Sequence, residues 1–246
     1  MRTKAFHAFE QKLIYFEDDI EIIDVIRKSI IDGLLTDNGS QYVLKNVNPT
    51  KHSHIARRKN SDGSRRLIID HLRATLYSSY VKDVYAELTH YFKTILNKAA
   101  ENRFDAGRII GDHHFNVDAK SILELGTWEN VAHLISNSVF QSLESEKSTL
   151  KLLKKIAKKL ALKINDDLIN NALPYLEIRH FLVHSDGKVT TEFKKKYPKI
   201  KTKSNKTIQL DEKFIRQMRD SVKDLVAAYD KEIISANLLK AEDTQP

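Results

Sequence analysis

Residues 64–100 read SRRLIIDHLRATLYSSYVKDVYAELTHYFKTILNKAA, a stretch with neither Gly nor Pro. Leu67, Leu72, Leu76, Tyr80, Val84, Leu88, Tyr91 and Ile95 recur through it at steps of three to five. That spacing lays one apolar stripe along a helix, whereas a half-buried strand would alternate every second residue. Nothing in the stretch interrupts the pattern, so it predicts a single long amphipathic helix, the spine of the fold.

The rest of the chain agrees with a helical spine. The 246 residues contain only 7 Gly and 4 Pro, too few of the residues that punctuate many-stranded sheets. A sandwich, a barrel and a Gly-rich nucleotide fold are therefore disfavoured. The chain is 41% hydrophobic and 30% charged, as soluble globular proteins are. At this length folding buries roughly 70% of the surface an unfolded chain exposes, so a substantial core is available. Cys is absent, which removes disulfides, cysteine zinc sites and thiol nucleophiles together. No apolar run approaches the ~20 residues that span a bilayer, and the start MRTKAFHAFE lacks a signal-like apolar stretch. No membrane role is expected, and the expected compartment is a reducing cytoplasm.

Phe9, Leu13, Phe16, Ile20, Ile23, Val25 and Ile26 predict one or two amphipathic helices over 6–35, with acids at Glu17, Asp18, Asp19 and Glu21. Residues 41–63 read as a loop with a basic end, and 101–117 as a second loop. Helical pattern resumes over about 118–144, taking Trp128 into the core. A helix over 148–163 sets Lys151, Lys154, Lys155, Lys158 and Lys159 against Leu152, Leu153, Ile156 and Leu160. Asn165, Asp166 and Asp167 start another helix, which Ser185-Asp186-Gly187 ends. A Lys-rich segment at 188–207 precedes a last helix over about 211–239. The architecture is all-α.

The segment with chemical content is Leu176-Glu177-Ile178-Arg179-His180-Phe181-Leu182-Val183-His184-Ser185-Asp186-Gly187-Lys188-Val189. At about 100° per residue, Leu168, Tyr175, Ile178 and Leu182 share one side, and Ile169, Ala172, Leu176 and Val183 continue the arc. Arg179 projects near its middle. A guanidinium keeps its proton, so it needs a carboxylate, a phosphate or a wet interface. His184 lies about 140° round the wheel, at the helix C-terminus, where the dipole favours the imidazolium.

This segment resembles the HEPN family, an all-α group with many RNA-cleaving members marked by Arg, four to six residues, then His. Here the pattern is Arg179-His180-Phe181-Leu182-Val183-His184, with His180 at the polar position that often follows the Arg. The long helix around Tyr80-Val81-Lys82-Asp83, the Asp-Gly turn, the basic segment and the closing helix match the family's layout. The bare spacing also occurs at Arg2/His7, Arg66/His71 and Arg108/His113. Only Arg179/His184 combines a helix interior, an apolar arc, a His at the helix end and an immediate turn. The resemblance covers about 64–239. It implies a HEPN-like helical domain over 61–240, with an unassigned helical extension and basic loop over 1–60 and a frayed tail at 241–246.

The resemblance further implies a homodimer, formed through the motif helix, that cleaves RNA without a metal or other cofactor. Such proteins often serve in toxin–antitoxin or antiviral systems, which makes an antitoxin a possible partner. Histidine titrates near neutrality and suits the proton-transfer role at His184. Arg179 supplies fixed charge and paired donors to phosphate oxygens. One His per chain falls short of an acid–base pair, so dimerisation or His180 must complete the site.

Two other readings stand beside this one. Some HEPN members are catalytically silent interaction or nucleotide-binding modules, in which case Arg179 pairs with a carboxylate such as Asp83 or Glu87. His180 and His184 also have the i, i+4 spacing of a metal pair, with Asp186 or His113-His114 as third ligand. No H-E-x-x-H base accompanies them, and the expectation is no metal.

The formal net charge of +8 points towards a polyanionic partner. Lys194, Lys195, Lys196, Lys199 and Lys201 follow directly on His184 and are the expected RNA-binding residues, with Tyr197 placed to stack on a base. The lysine face at 151–159 is a second phosphate-binding candidate, for which a plain solvated face is the competing reading.

Overall fold

The computed structural model describes residues 1–36, 39, 41–102, 106–111, 113, 114, 116–146 and 148–246. Among them the chain is mainly helical, as expected, with a single pair of two-residue strands. The order is β1 (Arg2–Thr3), α1 (Lys4–Ile31), α2 (Ser53–Ala56), α3 (Asp62–Glu101), α4 (Ala106–Ile110) and α5 (Ala119–Glu124). Then follow α6 (Trp128–Glu144), α7 (Thr149–Lys159), α8 (Asp166–His184), α9 (Thr191–Lys196), α10 (Glu212–Ser235) and β2 (Thr244–Gln245). Among the described residues no helix is long and apolar enough to cross a membrane.

Two compact units are present, and they do not divide at residue 60. One comprises Met1–Leu13 and Val81–Pro246, the other Ile14–Tyr80. The first unit recruits the N-terminal residues through a buried polar knot. The Asp230 carboxylate, on α10, accepts hydrogen bonds from the Thr3 amide at 3.0 Å, the Thr3 hydroxyl at 2.5 Å and the Tyr91 hydroxyl at 3.1 Å. An ionised carboxylate taken out of water needs such donors. Burial, with the Asp230 charge beside it, pushes the Tyr91 phenol well above its ordinary range. Glu10 adds a surface clasp, 2.5 Å from Arg2 and 2.9 Å from Lys223.

Around the knot, Tyr91 packs edge-on against Phe92, and Phe92 against Tyr229 with ring centroids 4.8 Å apart. The Tyr229 hydroxyl donates to the Leu153 carbonyl at 3.0 Å, so its buried phenol is paired. Helix α8 lies between α7 and α10, and α6 packs on α7. These helices form the frame that holds the site.

In the second unit, Phe16 meets Tyr80 edge-on at 6.0 Å, and Arg27 Nε donates to Asp70 at 2.8 Å. Its loop is pinned by the bridge between Tyr42 and Lys59 and by the Thr36 hydroxyl, which donates to the Val43 carbonyl.

The long helix α3 is confirmed, but its buried stripe is concentrated towards the C-terminal side. Tyr77, Val81, Val84, Leu88, Phe92, Ile95 and Ala99 are almost wholly covered, while Leu67 and Leu72 remain 52% and 44% exposed. Val25, expected on the stripe of α1, is 67% exposed. The helix expected over 118–144 is broken between α5 and α6, because Gly126 takes φ +73° and Thr127 caps the next helix, accepting from the Asn130 amide. Trp128, the first residue of α6, is 43% exposed and is not a core residue. The tail expected to fray instead forms a short 3-10 turn, Ala241–Asp243, and β2 pairs antiparallel with β1. Its anchor is Lys98, which meets both Asp243 and Glu101.

Candidate active site

Helix α8 begins where the sequence says it should. The Asn165 side chain accepts from the Asp167 amide at 2.8 Å, and Asp166 and Asp167 occupy the first turn. Pro174 sits inside the helix, which removes one backbone donor midway along it. At the far end the Phe181 carbonyl accepts from the Ser185 and Gly187 amides at 3.0 and 2.9 Å. Asp186 and Gly187 both take positive φ, 48° and 75°. This is a glycine-dependent stop, and it fixes His184 as the last helical residue.

The basic segment then folds back on that stop. Gly187 O accepts from Ile208 N at 2.9 Å, and Val189 N donates to Lys206 O at 3.2 Å. Thr190 caps α9 through the Phe193 amide. Buried Phe193 stacks edge-on against Phe181 at 4.9 Å, and Lys196 Nζ pairs with Glu177 at 3.0 Å. One aromatic contact and one ion pair therefore clip α9 onto the motif helix. Burial works against the Lys196 charge, yet Tyr197 and Glu177 beside it hold its ammonium above the ordinary range.

Between these elements lies a cleft of about 690 Å³. Arg179 and His180 open into it from α8, with Tyr85 of α3 and Lys196 of α9. The Arg179 guanidinium carbon stands 4.9 Å from the centroid of the Tyr85 ring, within cation–π range. No ion pair joins Arg179 to Asp83, Glu87 or any other described carboxylate, and the guanidinium rests on an aromatic face in place of the carboxylate that the silent-module reading supplied. The buried-arc reading is corrected in degree as well: Arg179 is half-buried, with its head in the cleft.

His184 is exposed and does not line the cleft, but its ring lies 4.8 Å from that of His180, one helical turn earlier. Neither imidazole has a hydrogen-bond partner among the described residues. Among the described residues nothing blocks either ring from a ligand. Among the described residues no three of His, Asp and Glu converge as metal ligands do. His113, expected in solvent, is half-buried, its Nε2 2.9 Å from the Ser138 hydroxyl, while His114 is exposed.

The expected RNA-binding residues divide. Lys194, Lys195, Lys199 and Lys201 are exposed, Lys196 is tied to Glu177 inside the cleft, and Tyr197 is half-buried against Phe193 at 5.0 Å. Tyr197 thus braces α9 rather than offering a free platform. The sequence reading missed four carboxylates around the cleft, Glu144, Glu146, Glu177 and Glu192. Glu146 pairs with Lys155, and the Glu192 carboxyl is held below its ordinary range by its own amide, the Thr190 hydroxyl and the charge of Lys206. It also missed Tyr85, an aromatic two residues beyond the quoted Asp83 and the only described α3 side chain lining the cleft. The chain matches no family model, no curated protein and no solved structure.

Proposed function

We propose that the protein is a metal-independent endoribonuclease whose reaction is carried by Arg179, His180 and His184. One observation supports this above the others: among the described residues, a guanidinium without a carboxylate partner beside two adjacent imidazoles without hydrogen bonds. In the proposed reaction one imidazole takes the proton of an RNA 2′-OH as that oxygen attacks the neighbouring phosphorus. Arg179 donates to the non-bridging oxygens as charge builds on them. The bond to the 5′ oxygen then breaks, and the second imidazolium returns a proton to it. The products are a 2′,3′-cyclic phosphate and a free 5′-OH. Homodimerisation through the motif helix, where Val183 is 45% exposed, and restraint by an antitoxin in a toxin or antiviral setting belong to the same proposal.

The four glutamates favour a second reading, a catalytically silent HEPN-like interaction or nucleotide-binding module. Carboxylates lining a cleft repel a phosphate, and among the described residues two of the four are paired with lysines, Glu146 with Lys155 and Glu177 with Lys196.

Incubating the protein with mixed RNA, with and without EDTA, separates the readings. Cleavage that survives EDTA and is lost in folded Arg179→Ala, His180→Ala and His184→Ala variants supports the nuclease. Intact RNA across a range of pH and salt leaves the silent module. Cleavage abolished by EDTA and restored by Zn²⁺ overturns the metal-independent mechanism.

A further inference from the structure

Helix α1 carries a second pattern, on the side turned away from the core of the unit Ile14–Tyr80. Tyr15, Asp18, Ile22, Val25 and Ser29 follow one another at alternating steps of three and four, and Asp32 continues the series just past the helix end. That is the seam spacing of paired helices, in which each such residue packs against a facing helix. Among the described residues nothing covers the seam. Ile20, Ile23 and Ile30 are buried on the opposite side, while Tyr15, Ile22 and Val25 are 72%, 55% and 67% exposed.

The order of polar and apolar positions along the seam identifies what fits it. Set two copies of the seam antiparallel about a two-fold axis, with Ile22 of each facing Val25 of the other. Asp18 then faces Ser29, and Tyr15 faces Asp32. Apolar residues meet apolar ones at the centre, and each carboxylate meets a hydroxyl. The Ser29 hydroxyl, which donates to the Val25 carbonyl at 3.0 Å in the single copy, can turn to Asp18. Beside the seam, Glu21 of each copy comes opposite Lys28 of the other. Both are exposed, and neither makes an ion pair among the described residues. Charges flanking a seam in this way set the partner and its orientation. A parallel pair would instead press Asp18 against Asp18, two carboxylates leaving water with no counter-charge.

We infer that this face of α1 binds the same face of a second copy of the chain, in antiparallel register. The contact is isologous, so both copies gain the same two flanking ion pairs and the same central layers. It is separate from α8, and it depends neither on RNA cleavage nor on association through the motif helix.

Sedimentation equilibrium of the full chain over about 1–200 µM tests it, in a Val183→Glu background that removes association through the motif helix. Reversible dimerisation is expected there. Ile22→Glu changes a side chain that is exposed in the single copy, so the fold is kept, but it sets a carboxylate against Val25. It is expected to weaken dimerisation at least about tenfold. Glu21→Lys and Lys28→Glu each bring like charges face to face and weaken it about threefold, whereas combining the two restores the starting affinity. The chain has no Cys, so orientation is read directly: Asp18→Cys mixed with Ser29→Cys forms a disulfide between the two variants, and neither links to itself. A monomer throughout the concentration range overturns the proposal, as do undiminished dimerisation of Ile22→Glu and self-linking of Asp18→Cys. A chain that dimerises only with Val183 intact supports the motif-helix dimer and removes this one.

Discussion

Arg179 rests its guanidinium on the face of Tyr85, 4.9 Å from the ring centroid, and forms no ion pair with a carboxylate among the described residues. The aromatic face restrains the head of the side chain without consuming its charge, so its N–H donors remain available to an incoming phosphate. Cation–π contacts contribute about 0.5–2 kcal/mol. If Tyr85 positions Arg179, Tyr85→Ala lowers kcat for RNA cleavage about tenfold with little change in KM. Tyr85→Phe, which keeps the ring, restores it. Equal kcat in the Ala variant and the parent would remove the positioning role.

Acid stability tests a second cluster. Burial acts to raise the Glu101 carboxyl, but hydrogen bonds and charge from Lys98 and His133 hold it below its ordinary value of 4.5. The unfolded chain therefore takes up this proton first as pH falls. The stabilisation is complete above about pH 4.5 and is lost as pH drops through the lower folded value. Urea midpoints measured from pH 7 to pH 3 should decline more steeply in the parent than in Glu101→Gln. Parallel curves would show that the pair contributes no pH dependence.

The buried knot at Asp230 predicts a large stability loss that need not involve the cleft. Asp230→Ala strands the Thr3 amide, the Thr3 hydroxyl and the Tyr91 hydroxyl. Leaving buried donors unpaired costs about 1–3 kcal/mol each in isolation, and relaxation should bring the total to about 2–4 kcal/mol. Equilibrium denaturation gives the value directly, and a loss below about 1 kcal/mol would mean that water replaces the carboxylate.

Gly187 closes the motif helix at φ +75°, where an added Cβ would stand 3.2 Å from Leu182 Cδ2 and 3.4 Å from Thr207 Cγ2. Gly187→Ala is expected to cost about 1–3 kcal/mol from backbone strain and crowding. A thermal midpoint unchanged from the parent would show that the turn yields freely.

The lysines after the motif are distinguished by salt. If Lys194, Lys195, Lys199 and Lys201 contact RNA phosphates, each Ala substitution flattens the slope of log affinity against log salt by ~0.7. Lys196, already paired with Glu177, should change the slope less. Uniform slopes across all five variants would place the RNA elsewhere.

The local half of this architecture was legible in the sequence. Asn165 and the two aspartates announce the start of α8, Asp186-Gly187 announces its end, and the absence of Gly and Pro over 64–100 announces α3. Each signal acts within one turn of the chain, so no knowledge of the partner is required. The wheel also placed Arg179 on an apolar arc, but a wheel cannot say what faces the arc. Tyr85, Glu144 and Glu192 reach the cleft only through the tertiary placement of α3, α6 and α9 around it. Trp128 failed for a related reason: its hydrophobicity favoured the core, but the break at Gly126 left it on the first, exposed turn of α6. The end segment failed because what holds it, Lys98 at Asp243 and the pairing of β2 with residues 2–3, lies far from it in the sequence.

The bond between Thr3 and Asp230 spans 227 positions, and that distance sets when the contact can first form. Loop-closure entropy is spent before such a contact returns anything, and non-local topologies fold slowly for that reason. During synthesis the first turns of α1 emerge early, yet their polar acceptor on α10 arrives more than two hundred residues later. Residues 1–13 therefore cannot complete this buried polar knot until α10 has been made. The buried carboxylate of Asp230 joins two stretches of chain that are made at opposite ends of its synthesis.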